Sequence, residues 1–186
     1  MILYCGTSNR GKLREFQLAG PQFDIRPIEA APPDEHGETF EETARDKALY
    51  YGAQQAGYVF ADDSGLEVDA LGGAPGVLSA RFAGPSATDA QNNALLLERL
   101  RGVDNRAARF VCVIALVWDG AFLKSFRGVV EGRIIDQARG ALGFGYDPLF
   151  YHEPFACTFG EATDEQKMSA SHRGQALRAM FEFLGG

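Results

Sequence analysis

Four stretches of this chain hold residue types that could do chemistry. In FADDSGLEVDALGGAPGVLSARFAG, residues 60–84, Asp62 and Asp63 stand side by side after an apolar run and before a glycine-rich segment. Adjacent like charges repel, and a divalent cation relieves that repulsion. A carboxylate on magnesium would also let the ion neutralise phosphate and orient a water. A turn in which Asp and Ser cap nearby backbone groups accounts for the same residues without a ligand. Ahead of it, GTSNRGKL (Gly6–Leu13) has most of the spacing of a P-loop. Leu13 takes the place of the hydroxyl that would ligate the metal, so a P-loop kinase is disfavoured. Thr7, Ser8, Asn9, Arg10, Gly11 and Lys12 still compose a candidate phosphate cradle, with backbone N–H groups at a helix N-terminus and a lysine charge. A plain helix cap by Ser8 or Asn9 is the alternative.

The third stretch is DEHGETFEETARDKA. Thr39 and Glu42 have capping-box spacing, which explains Glu42 structurally. Glu35 has no such explanation and is either a second carboxylate for a metal or a solvated loop residue; His36 is expected at the surface. The fourth is KMSASHRGQAL. Ser169 or Ser171 is expected to cap the last helix, placing His172 and Arg173 in its first turn, where cations oppose the helix dipole. Either an anionic or electronegative ligand atom, or a neighbouring acid, must compensate; Lys167 lies just upstream. Before it, Phe144, Gly145, Tyr146 and Asp147 in GFGYDP offer aromatic faces and an acid on a glycine-rich loop, suited to a flat base or to core packing.

The elements that must position these residues read as follows. Met1–Cys5 is a short buried strand, Gly11–Ala19 a helix with Leu13, Phe16 and Leu18 inward, and Phe23–Ile28 a second strand. Thr39–Ala56 carries Phe40, Ala44, Ala48 and Tyr51 on one helical stripe. Tyr58–Ala61 reads as a strand running into an Asp62–Asp63 loop, and Thr88–Arg101 as a helix anchored by Leu95, Leu96 and Leu100. Asp119–Gly120 between apolar runs signals a hairpin. A glycine-rich loop then enters a short strand, and Ser171–Leu184 is the last helix. Early strand–helix alternation followed by a hairpin makes a mixed α/β domain around a long twisted sheet.

The bulk properties narrow the partners. A chain of 186 residues suits one domain, or one domain with a lobe, and can bury a proper core. Its net charge of −7 argues against nucleic-acid polymers and anionic membranes, so any anion must be met by small local groups of basic residues. No apolar run is long enough to span a bilayer, and the N-terminus lacks the pattern of a signal peptide. Cys5, Cys112 and Cys157, odd in number and far apart, point to reduced thiols in a cytoplasm. Cys5 sits beside the cradle, which raises the question of oxidation.

TSNRGK, EHGETFEETARDKA, ADDSGLEVDALGGAPGVLSARFAG, GFGYDPLF and SHRGQAL, in this order over residues 7–177, resemble the inosine triphosphate pyrophosphatase (Ham1-like) family. The resemblance implies an elongated mixed β-sheet flanked by helices, two lobes with a central active-site cleft, and a cytosolic homodimer. It implies magnesium-dependent hydrolysis of ITP, dITP and XTP to the monophosphate and pyrophosphate. By motif position, Asp63 would be the proton acceptor and a magnesium ligand, and Glu35 the second metal ligand. Thr7 to Lys12 would hold the triphosphate, and Ser64 would touch substrate. Phe144, Gly145, Tyr146, Asp147, Lys167, His172 and Arg173 would enclose base and sugar. Thr43, where the family commonly has asparagine, and Ser8, where many members have glycine, depart from the pattern. A Maf-like pyrophosphatase acting on other triphosphates and a nucleotide-binding regulator without catalysis are the alternatives.

Overall fold

The computed structural model describes residues 1–185. Its strands are β1 (Ile2–Cys5), β2 (Asp24–Pro27), β3 (Tyr58–Val68), β4 (Ala107–Trp118), β5 (Ala121–Ile134), β6 (Phe150–His152) and β7 (Cys157–Thr158). They form one mixed sheet in the order β2-β1-β3-β4-β5-β6-β7. β1 pairs in parallel with β2 and β3, with Tyr4 opposite Val59 and Cys5 opposite Phe60. β6 pairs antiparallel with β5 and β7. The β4–β5 hairpin turns on Asp119 (φ 47°) and Gly120 (φ 78°), the two left-handed positions that a tight hairpin of this twist requires.

The helices are α1 (Arg10–Ala19), α2 (Phe40–Gly52), α3 (Asp89–Arg99), α4 (Asp164–Ala170) and α5 (His172–Phe183). Each begins where its capping chemistry predicts. Asn9 caps α1, Thr39 and Glu42 form a reciprocal capping box on α2, and Ser171 caps α5. Thr88 and Gln91 do for α3 what Thr39 and Glu42 do for α2. α2 ends at Gly52, four residues before the expected Ala56, because glycine is a poor interior residue for a helix. Leu18, expected inward, is exposed at 37% on the outer side of α1. α4 was not expected, since it lacks an apolar stripe. Its signal is the Thr163–Gln166 box, in which each residue's side chain accepts a hydrogen bond from the other's backbone N–H.

The largest departure concerns the aspartate pair. β3 runs eleven residues, from Tyr58 through Val68, so Asp62 and Asp63 lie in a strand between β1 and β4, not in a loop after one. Asp-Asp-Ser-Gly has the composition of a turn, but tertiary pairing overrides local preference here.

The chain divides into two compact units. Met1–Ser64, Cys112–Gly128 and Met168–Gly186 make the first, and Gly65–Val111 with Val129–Lys167 the second. In the first, Leu3, Cys5, Phe60, Cys112, Ile114 and Leu116 of the sheet pack with Phe16 of α1 and Ala176, Leu177, Met180 and Phe181 of α5. Phe16 meets Phe60 edge-on, ring centroids 5.1 Å apart. In the second, Leu66, Val68, Phe110, Val130, Ile134 and Phe150 pack with Leu96 and Leu100 from α3 and its end. No described helix is long and apolar enough to cross a membrane.

Candidate active site

Strand alternation separates the two aspartates. Asp62 shares the sheet face of Phe60, the face covered by α1 and α5. Lys12 Nζ of α1 donates to Asp62 Oδ1 at 3.0 Å. Arg173 of α5 approaches Asp62 Oδ2 with Nε and Nη2, both at 3.4 Å. Arg173 also donates through Nη1 to Glu15 of α1, and through Nη2 to Ser64 Oγ at 2.6 Å. With Arg173 and Asp62 essentially inaccessible, this is a buried ion network, and the acid-partner alternative for Arg173 is the one realised. Burial pushes the Asp62 carboxyl up, but the positive charges of Lys12, Arg173 and Lys47 outweigh it and hold Asp62 well below the usual carboxylate range.

Asp63 is buried too, yet its Oδ2 has no hydrogen-bond partner among the described residues. Desolvation raises its pKa from 3.8 to about 6, with the charges of Asp62 and Glu35 adding to the rise and those of Lys12 and Lys47 opposing it. Lys47 of α2 donates to Glu35 Oε1 at 3.0 Å and interacts with all three acids, Asp62, Glu35 and Asp63, whose charges keep it protonated against its own burial. The cations Lys12, Lys47 and Arg173 thus face the carboxylates Glu15, Glu35, Asp62 and Asp63. Asp63 adds a fourth carboxylate to this group, and its Oδ2 is the oxygen left without a hydrogen bond. An orphaned buried carboxylate oxygen beside other acids suits a divalent cation. Among the described residues no three His, Cys, Asp or Glu side chains form a metal cage. Magnesium does not need one, since it binds through one or two carboxylates together with substrate phosphates.

The shift of Asp63 has a consequence for stability. An acid whose pKa is raised on folding favours the folded state fully below its unfolded value, and that contribution is lost as pH rises through the folded value. From pH 3.8 through about 6 the metal-free protein is therefore expected to lose stability from this group. The loss is on the order of 2–3 kcal/mol. Asp63→Asn, which cannot ionise, should lack it. Urea denaturation of both forms with a chelator at pH 5 and pH 8 tests this; identical pH dependence in the two would exclude Asp63 as its source.

The cradle residues lie at the start of α1. Asn9 Oδ1 accepts from Lys12 N at 3.1 Å, and Thr7 Oγ1 accepts from Asn9 N at 3.2 Å. Asn9, not Ser8, is the cap, while Ser8, Asn9 and Arg10 are exposed and Gly11 is half-buried. His172, at the first turn of α5, is buried beside Arg173. Thr43 is buried against Gly37, whose missing side chain makes room for its hydroxyl. Cys5 is fully buried, and burial with the Asp62 charge pushes its thiol up to about 12, so a reactive thiolate is disfavoured.

The second unit carries its own group. Asp147 Oδ2 accepts from Phe144 N at 2.8 Å and from Lys167 Nζ at 2.6 Å, both charged side chains being buried. Lys167 Nζ also stands 4.8 Å from the Phe144 ring centroid. Tyr146 is a core residue: its ring is buried and its hydroxyl donates to the Ser79 carbonyl at 2.7 Å.

Lys47 and Glu15 were not singled out from the sequence. The available signal was a charged residue on a buried helical face. Lys47 lies three residues after Ala44 and four before Tyr51 on the apolar stripe of α2, and Glu15 adjoins Phe16.

The sequence pattern of the Ham1 family matches residues 3–183. The chain belongs to this family. Among its Ham1-family relatives, the dITP/XTP pyrophosphatase of Acidobacterium capsulatum is 45% identical, with 100% of this chain and 99% of the relative aligned. That of Exiguobacterium sp. (strain AT1b) is 47% identical over 97% of this chain and 95% of the relative. The Staphylococcus aureus Ham1 protein structure superposes with a TM-score of 0.88 at 38% identity, covering 100% of this chain and 99% of that one. The Coxiella burnetii HAM1 protein gives 0.89 at 39%, with 100% and 98% covered.

Proposed function

We propose that this chain hydrolyses deaminated purine nucleoside triphosphates, ITP, dITP and XTP, to the monophosphate and pyrophosphate, with magnesium, as a cytoplasmic homodimer. The observation that carries this reading is Asp63: a buried carboxylate with an unpartnered oxygen, in a chain whose Ham1-family relatives include dITP/XTP pyrophosphatases. Asp63 accepts the proton of the attacking water; burial holds its pKa at about 6 in the metal-free protein, and a cation bound beside it would lower that value. Asp63 and Glu35 would hold the magnesium ion. When bound, that ion neutralises phosphate charge and polarises the reacting phosphoryl group. Lys12, Lys47 and the N-terminus of α1, with Thr7, Ser8, Asn9, Arg10 and Gly11, supply positive charge and N–H donors for the phosphates. Ser64, whose Oγ accepts from Arg173 on the Asp62 side of the strand, is a substrate contact by motif position.

Phe144 and Lys167, fixed through Asp147, are the candidate base platform, with Gly145 shaping its loop. Hypoxanthine and xanthine carry an acceptor oxygen at C6 where adenine carries an amino donor. A site of N–H donors left unpaired by adenine rejects it. His172 and Arg173 belong to that donor set by motif position, although Arg173 also holds the buried network together.

Magnesium-dependent turnover of ITP, GTP and ATP, with pyrophosphate and orthophosphate assayed separately, tests the reading. Pyrophosphate from ITP with little from GTP and ATP is expected. Orthophosphate alone would place cleavage at the γ-phosphate and overturn it. No product from any triphosphate would favour a Maf-like or regulatory role. Lys12→Ala is expected to raise the KM for ITP about tenfold or more, as a charged phosphate contact is lost. An unchanged KM would remove Lys12 from the cradle.

A further inference from the structure

The GFGYD loop is held by residues outside its own motif, all within the second unit. Gly145 N donates to Asp89 Oδ2 at 2.7 Å, and Asn93 Nδ2 donates to Gly145 O at 3.0 Å. Both groups of one peptide residue are thus gripped by side chains one turn apart on α3. The orientation of the Asn93 amide follows from chemistry, because a carbonyl can only accept. On either side, Phe144 N is tied to Asp147 and the Tyr146 hydroxyl to the Ser79 carbonyl. α3 is itself anchored by Asn92, which accepts from Ala83 N at 2.9 Å and donates to Ala80 O at 3.1 Å.

The backbone explains why such a grip matters. Gly143 and Gly145 adopt φ of 73° and 62°, and a side chain at 143 would collide with the Asp147 carboxylate. Two left-handed glycines let the loop fold tightly, but glycine also has the most conformational freedom to lose. An unsupported loop of this kind would sample many conformations, and the Phe144 ring, one residue from Gly145, would move with it.

We propose that Asp89 and Asn93 are positioning residues that clamp Gly145 and so set the place of the Phe144–Lys167 platform for the nucleotide base. The nucleotide part rests on the function proposed above; the clamp itself does not. Removing the clamp weakens binding more than it slows chemistry, because the groups at Asp63 are untouched.

Two measurements on the full-length protein test this. The first is kinetics with ITP. Asp89→Ala is expected to raise KM about tenfold with kcat within about twofold, the loss of one charge-assisted hydrogen bond. Asp89→Asn, which keeps an acceptor oxygen, should restore most of the affinity. A wild-type KM in Asp89→Ala would overturn the proposal, as would equal losses in the alanine and asparagine variants, since charge and not the hydrogen bond would then matter. The second is hydrogen exchange at the Gly145 amide, expected to accelerate in Asp89→Ala but not in Asp89→Asn, and unchanged exchange in the alanine variant overturns the clamp. If wild type fails to turn over ITP, the functional reading fails and exchange alone decides the clamp. Should Asp89→Ala not fold, Asn93→Leu removes the grip from the carbonyl side, with the same rise in KM expected and an unchanged KM counting against the proposal.

Discussion

Asp63→Asn is expected to lower ITP turnover by about 10³-fold, within the range that a positioned general base contributes. Asparagine has nearly the same shape, so Asp62, Lys12 and the helices need not move. The variant loses the ability to accept a proton and the charge that attracts a cation. Nucleotide binding, measured by calorimetry with ITP, should persist, because the contacts at the start of α1 remain. Turnover within about tenfold of wild type would remove Asp63 from the role of base. Undetectable binding together with lost turnover would mean that its charge chiefly recruits the metal and triphosphate. The prediction separates Asp63 from its neighbour in the sequence, because substitution of Asp62 should fail in a different way.

Asp62→Asn is expected to destabilise the protein by about 3–5 kcal/mol, the usual result of removing one partner from a buried charge network. Arg173 is 2% exposed and would keep Glu15 but lose Asp62, and Lys12 would lose the carboxylate it holds at 3.0 Å. For a chain of this size the midpoint of thermal unfolding should fall by roughly 6–20 °C. The sign of the pH dependence follows from the depressed pKa. The stability that Asp62 contributes is present above the ordinary carboxylate range and is lost as pH falls through its lower folded value. Wild type and variant should therefore differ fully at pH 7 and converge only in strong acid. Urea denaturation at pH 7 measures this; a difference under about 0.5 kcal/mol, the size of an ordinary surface substitution, would show that the network does not stabilise the fold. Arg173→Met gives a useful contrast. It leaves Asp62 and Glu15 as buried acids with fewer cations, so it should also destabilise, and any change in ITP over ATP preference would be visible only in protein that still folds.

Much of this molecule is written locally in its residues. The capping boxes at Thr39–Glu42 and Thr88–Gln91, the Asn9 and Ser171 caps, and the Asp119–Gly120 turn are interactions within a few residues of chain. Helical stripes such as Phe40, Ala44, Ala48 and Tyr51 are legible for the same reason, since period and polarity need no distant partner. The motifs that carry the family resemblance are likewise contiguous, so the class of chemistry could be read before any fold was known. Where reading failed, the cause was long range. β3 continues through a segment with the composition of a turn, past the end of β1 where Cys5 lies opposite Phe60, as an inner strand of the sheet next to β4.

What the residues alone determined, then, is which acids, bases and aromatic groups are present and which local elements bear them. The partners and burial of each come from the tertiary structure alone. Asp62 and Asp63 are chemically identical and adjacent. Strand alternation sends one toward Lys12 and Arg173, contributed from positions 50 and 111 residues away, and leaves the other with an unpartnered oxygen. A carboxylate's protonation depends on burial and on charges within a few ångströms, and neither quantity is local in sequence. Lys47 lies among the acids of the candidate site for that reason, and Tyr146 is a core residue for the same one.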